Sequence, residues 1–137
     1  MKVAKLRNVE VGAGTPKVIV PIVASTREGI LEKAVEFKSH DLHVVEWRVD
    51  FYEGVFDQAK VLETLKELRA KLGETPILFT FRTKKEGGEK EIDMETYTAL
   101  NTAVAQSGDA DAIDVEIFSG DDVVRRCVQA IHQAGKV

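Results

Sequence analysis

Cysteine is almost missing from this sequence: Cys127 stands alone, so no disulfide can form within the chain, and a reducing compartment is the expected setting. No apolar run approaches the roughly 18 residues that a membrane-spanning helix needs, which argues against a membrane partner. The first residues, Met1-Lys2-Val3-Ala4-Lys5-Leu6-Arg7, are basic but have no apolar segment behind them, so they do not read as a signal peptide. A cytoplasmic location is expected. There is no Lys/Arg-rich block, and the net charge is -4, which argues against a nucleic-acid partner. A small anionic ligand stays open, because a few placed arginines suffice for that. Nor is there a low-complexity stretch or a shift in composition. Residues 1–137 are therefore expected to form one module, and 44% hydrophobic against 31% charged residues fits a globular core rather than disorder.

What is present is alternation. Short β-branched runs take turns with longer helical patterns, the mark of βα units around a parallel sheet. A hairpin is expected over Val3–Val11, with its turn at Gly12-Ala13-Gly14. Strands are expected over Lys17–Val23, His43–Asp50, Pro76–Arg82 and Ala112–Phe118. Ser25-Thr26-Arg27-Glu28 has capping-box spacing and opens a first helix with Ile30, Leu31, Ala34, Val35 and Phe37 as its buried stripe. Asp57 caps a second helix (Val61, Leu62, Leu65, Leu68, Leu72) that Gly73 ends. Asp93 caps a third, burying Met94, Tyr97, Leu100 and Val104 and closing at Gly108. Ser119 and Asp122 open a fourth, with Val123, Val124, Cys127, Val128 and Ile131 inside and Gly135 at its end. Lys136-Val137 is expected to begin a fifth strand, where the sequence stops.

Side chains alternate faces along a strand, so parity sorts each run into two sets. One set is apolar and suits packing against helices: Val45, Trp47 and Val49; Ile77, Phe79 and Phe81; Ile113, Val115 and Ile117. The other carries Glu46, Arg48 and Asp50, then Thr80 and Arg82, then Asp114 and Glu116. Charges inside a parallel sheet are costly unless paired, so this face implies a polar network. Asp114, deepest along its strand, reads as part of an internal ion-pair network. Glu46, Arg48 and Arg82 read as ligand-binding, because two guanidinium forks and a carboxylate can hold a polyhydroxylated acid. His40, His43 and His132 have no metal-ligand spacing with one another or with Cys127, so no metal site is expected. Cys127 reads as a small core residue and Trp47 as packing under a helix. Lys84 and Lys85 read as solvated loop residues, and Gly87-Gly88 as a flexible loop rather than a phosphate loop.

Glu46-Trp47-Arg48-Val49-Asp50, Phe79-Thr80-Phe81-Arg82 with Glu86-Gly87-Gly88, and Ile113-Asp114-Val115-Glu116 together resemble type I 3-dehydroquinate dehydratase. The likeness runs across essentially the whole chain, including the approach to the first strand over Gly12–Lys17. It implies the first half of an eight-stranded TIM (β/α)8 barrel: about four βα units plus an N-terminal hairpin. It also implies a lyase of the shikimate pathway to aromatic amino acids, converting 3-dehydroquinate to 3-dehydroshikimate without a metal or bound cofactor. In that family a lysine forms a Schiff base with the ring ketone, and a histidine moves protons.

Carried over by position, Glu46, Arg48 and Arg82 match residues that bind the substrate, and Glu86 matches the acid that helps orient the catalytic histidine. Asp114 and Glu116 match inward-facing supporting acids, while Pro21 stands where the family often has a substrate-contacting serine. The catalytic histidine, the Schiff-base lysine and the arginine that grips the substrate carboxylate are expected in strands beyond Val137. Two expectations follow. One is a partial dehydratase that is inactive alone. The other is a non-catalytic half-barrel that associates with itself or with a complementary half, or that binds a small acid.

Overall fold

A computed structural model describes residues 2–137. Two short strands, β1 (Ala4–Leu6) and β2 (Val9–Val11), pair antiparallel. Four βα units follow: β3 (Ile19–Ile22) with α1 (Arg27–Phe37), β4 (Val44–Arg48) with α2 (Gln58–Leu72), β5 (Ile77–Thr80) with α3 (Met94–Ser107), and β6 (Ala112–Ile113) with α4 (Asp121–Gln133). The four later strands form one parallel sheet in the order of the chain. Val137 extends it: its N–H donates to the Asp111 carbonyl at 3.3 Å, and its own carbonyl accepts from Ile113 N–H at 2.8 Å.

Register explains which residues face where. Ile22, Trp47, Phe79 and Ile113 align across the sheet and face the helices. Trp47 and Phe79 pack edge to face at 5.6 Å beneath Leu65, Leu68, Tyr97 and Cys127, which join the same core. Pro21, Glu46, Leu78 and Ala112 align on the opposite, inner face. At the N-terminal end of that face the hairpin forms a plug, with Leu6, Val9 and Val11 against Val44, Leu78 and Ala112. An ionic knot fastens it. The Asp111 carboxylate accepts from Arg7 Nε at 2.9 Å, Arg69 Nη1 at 2.8 Å and Ile77 N–H at 2.8 Å. Towards the C-terminal end the inner face is open.

Asp57 and Asp93 cap α2 and α3 as expected, each accepting from a backbone N–H three residues on. Elsewhere the structure corrects the sequence reading. The hairpin turns at Arg7-Asn8, not at Gly12–Gly14, because Leu6 pairs with Val9, and Arg7 adopts a left-handed φ of 54°. Thr26, not Ser25, caps α1, accepting from Gly29 N–H at 3.1 Å. Val35 is exposed, since the narrow buried stripe of α1 is Ile30 and Ala34. The α4 cap is Gly120, with no side-chain hydrogen bond, so Asp121 and Asp122 support the first turn through the helix dipole, and Asp122 also pairs with Arg126 Nε at 3.0 Å. Every strand is shorter than expected. Val49–Phe51, Lys84–Glu86 and Ile117–Ser119 form single 3-10 turns, which leaves Ile117 exposed rather than in the core.

Candidate functional site

The inner-face charges gather where β4, β5 and β6 end. Arg48 is the last residue of β4, and the chain turns immediately into Val49–Phe51, which folds Asp50 back beneath it. Arg48 then donates Nε to Asp50 Oδ1 and Nη2 to Asp50 Oδ2, both at 2.8 Å, while its guanidinium stacks 5.0 Å above the Phe51 ring. The side-on hydrogen bonds raise the Arg48 pKa against the effect of burial. Asp50 is fully buried, which alone would push its carboxyl up. Arg48 and the backbone N–H groups of Glu89 and Arg82 outweigh that and hold it below the usual carboxylate range.

Arg82 lies just past β5 and is held by three acids. Nη1 donates to Glu116 Oε1 at 3.0 Å and to Glu86 Oε2 at 3.4 Å, and Nη2 donates to Asp114 Oδ2 at 3.3 Å. Burial works against its charge, but Asp114 and Glu116 prevail and its pKa is raised. Glu116, not Asp114, is the more enclosed acid of the fourth unit, with side-chain exposures of 2% and 30% respectively. Glu116 also accepts from Thr83 N–H at 2.9 Å and Thr83 Oγ1 at 2.8 Å, while its own backbone N–H donates to Tyr97 Oη at 3.0 Å. Burial pushes the Tyr97 hydroxyl up to about 12, so at neutral pH it stays protonated.

The structure therefore brings together Arg48, Arg82, Glu86, Asp114 and Glu116, with Asp50, Thr83 and Tyr97 as members the sequence reading did not single out. Asp50 was visible in the alternation Glu46, Arg48, Asp50; Tyr97 was legible only as part of the buried stripe of the third helix, and Thr83 left no periodic signal. Glu46 is half-buried on the same face, one inward step before Arg48, and makes no ion pair among the described residues. An open cleft of about 880 Å³ adjoins the Arg82 cluster, with Thr83, Glu86, Glu116 and Phe118 on its walls. Lysine and histidine are absent from β3 to β6. Lys84 and Lys85 sit exposed on a 3-10 turn, and Lys90 Nζ is committed to the carbonyls of Asp50 and Tyr52 at 2.6 and 3.2 Å. His43 Nδ1 accepts from Val18 N–H at 2.9 Å, a strand-start role. Among the described residues no group of His, Cys, Asp and Glu is placed to hold a metal ion. Cys127 is buried in the core. The arrangement thus offers fixed guanidinium donors beside carboxylates, suited to gripping hydroxyl or carboxylate oxygens.

The family model described as type I 3-dehydroquinase matches residues 18–137. The 3-dehydroquinate dehydratase of Clostridium botulinum is 50% identical over 131 residues, covering 96% of this chain and 52% of that protein. That of Listeria welshimeri is 48% identical over 128 residues, covering 93% and 51%. Among solved structures, type I 3-dehydroquinate dehydratase from Clostridium difficile, bearing covalently modified comenic acid, superposes with a TM-score of 0.97 at 41% identity, covering 98% of this chain and 53% of that one. The Enterococcus faecalis 3-dehydroquinate dehydratase gives 0.92 at 38% identity, covering 97% and 55%. The chain spans about half the length of these relatives, and its four βα units and hairpin have the fold of half a (β/α)8 barrel. The chain belongs to the type I 3-dehydroquinase family.

Proposed function

We propose that these residues form part of the substrate site of a 3-dehydroquinate dehydratase, a cofactor-independent lyase that acts through a Schiff base. Glu46, Arg48 and Arg82 hold the hydroxyl groups of 3-dehydroquinate, and Glu86 orients a histidine that these 137 residues do not supply at the site. Asp114 and Glu116 keep Arg82 charged and aimed inward. The observation that carries this reading is the convergence of Arg48 and Arg82, each locked by carboxylates, at the C-terminal end of the parallel sheet. Active sites of (β/α)8 barrels lie at that end.

Schiff-base chemistry needs an amine that can lose its proton and reach the ring ketone. With no lysine on the inner strands and Lys90 tied to two carbonyls, this chain alone is inactive. The test is 3-dehydroquinate turnover by the chain at high concentration, with borohydride present to trap any iminium. No product and no adduct mass is the expected result. Turnover or a trapped adduct would show that one of these lysines is the nucleophile, and the carried-over roles would fall.

A second reading rests on a separate observation: Ile19 and Val23 are exposed, at 45% and 52%, on the inner side of β3. That apolar edge suits pairing with a second copy or with a complementary half-barrel. The lone buried cysteine accords with a cytoplasmic, reducing setting.

A further inference from the structure

Asp50 occupies a position that the substrate-site reading leaves unused. It is fully buried, yet it touches three separate segments. Its carboxylate accepts both side-on N–H groups of Arg48, then the backbone N–H of Arg82 at 3.3 Å and of Glu89 at 3.1 Å. Its carbonyl accepts from Lys90 Nζ at 2.6 Å. A guanidinium carries five N–H donors in one plane. Binding Asp50 through one edge fixes that plane and leaves the Nη1 group and one Nη2 proton free. The Phe51 ring covers one face of the plane, so a ligand can approach only from the remaining directions.

We infer that Asp50 is a positioning residue: it sets the pose in which Arg48 meets a hydroxylated anionic ligand, and it locks the Arg82 backbone and the Glu86-bearing loop in the same frame. This rests on the substrate-site reading above for the identity of the ligand, but not for the geometry. Arg48 acts on the ligand directly, whereas Asp50 acts only through Arg48 and the loop. A carboxylate is required at this point, because every partner it meets is a donor: two guanidinium N–H groups and two backbone N–H groups. An amide in its place turns one acceptor into a donor aimed at donors.

The test combines arginine side-chain NMR with calorimetric binding of 3-dehydroquinate, on the wild-type chain, Asp50→Asn and Asp111→Asn. Asp111 ties a comparable knot at the opposite end of the sheet, so Asp111→Asn separates loss of stability from loss of pose. In the wild type the Arg48 Nη signals should be resolved by hindered rotation, while those of exposed Arg125 average. A single averaged Arg48 signal in the wild type would overturn the inference without any variant. Asp50→Asn should average the Arg48 signals and speed exchange of the Glu89 amide. It should also weaken 3-dehydroquinate binding roughly tenfold to a hundredfold, the range for one unsatisfied buried group. Asp111→Asn should leave all three unchanged at temperatures where it is folded. Equal effects from the two variants, or averaged Arg48 signals with unchanged affinity, would reduce Asp50 to a stabilising residue. A folded wild type that binds no 3-dehydroquinate would sink the substrate reading, and the Arg48 spectra would still decide the positioning claim.

Discussion

Gly88 shows how much one residue can constrain at this site. A Cβ there would lie 1.9 Å from the Arg82 carbonyl oxygen, because the loop doubles back so that Gly88 N–H reaches the Thr83 carbonyl at 2.8 Å. The same doubling back brings Glu89 N–H to Asp50 and Glu86 to Arg82. Gly87, its neighbour, needs glycine for a different reason: φ is 92°, but nothing lies within 4 Å of an added Cβ. Gly87→Ala should cost about 1 kcal/mol of stability from backbone strain. Gly88→Ala should cost more, roughly 1–3 kcal/mol of overpacking, and should also release the Glu89 amide to solvent exchange. Thermal unfolding with hydrogen exchange checks both, and equal penalties would contradict the close approach. In the sequence these glycines read only as a flexible loop. The steric demand arises between residues that the fold brings together, and no local pattern encodes it. The alternation Glu46, Arg48, Asp50 did place three acids and bases on one face, yet not the back-fold that makes Asp50 a partner of Arg48.

At the level of elements, the order of strands and helices was legible because each unit carries its own period, two for strands and 3.6 for helices. Strand ends were not. Alternation continues through Asp114, Val115, Glu116 and Ile117, but β6 pairs only over Ala112–Ile113, since ladder length is set by the neighbour. The hairpin failed in the same way: the glycines at 12–14 advertise a turn, while cross-strand pairing puts it at Arg7-Asn8. Arg7 tolerates its left-handed backbone because its side chain reaches Asp111 and Glu74, at 2.9 and 3.0 Å. That account separates two variants. Arg7→Gly relieves the backbone and Arg7→Ala does not, but both cut the tether to the sheet. Both should speed amide exchange over 4–11 while β4 and β5 keep their protection, at a cost of roughly 1–3 kcal/mol in local opening for the lost partner of a buried carboxylate. A slower-exchanging hairpin in Arg7→Gly would mean that strain, not the tether, governs this element.

For the molecule as a whole, the two faces of the sheet are finished to different degrees. The helix-facing side is closed over Trp47, Phe79 and Tyr97, all fully buried. The inner side is closed only at its N-terminal end, by the hairpin, and its two arginines are paired with carboxylates, whereas Glu46 has no ion-pair partner among the described residues. The apolar residues left exposed on this face lie along β3, at Ile19, Pro21 and Val23, on a strand with pairing on one side only. Apolar surface on a sheet edge favours association, both through water release and through unpaired backbone groups. The charges do not oppose this, because Arg48 and Arg82 are already neutralised inside the sheet. The mass in solution should therefore exceed the 15.2 kDa of one chain at high concentration. It should shift again when the complementary half of a related barrel is added. Replacing Ile19 and Val23 by lysine should return the chain to a monomer with little loss of stability, since both side chains are half-exposed to begin with. Sedimentation equilibrium reads all three. A wild-type chain that stays monomeric and ignores the complementary half would mean that this edge needs no partner. The half-barrel would then be a self-sufficient unit, with Ile19 and Val23 merely tolerated in water.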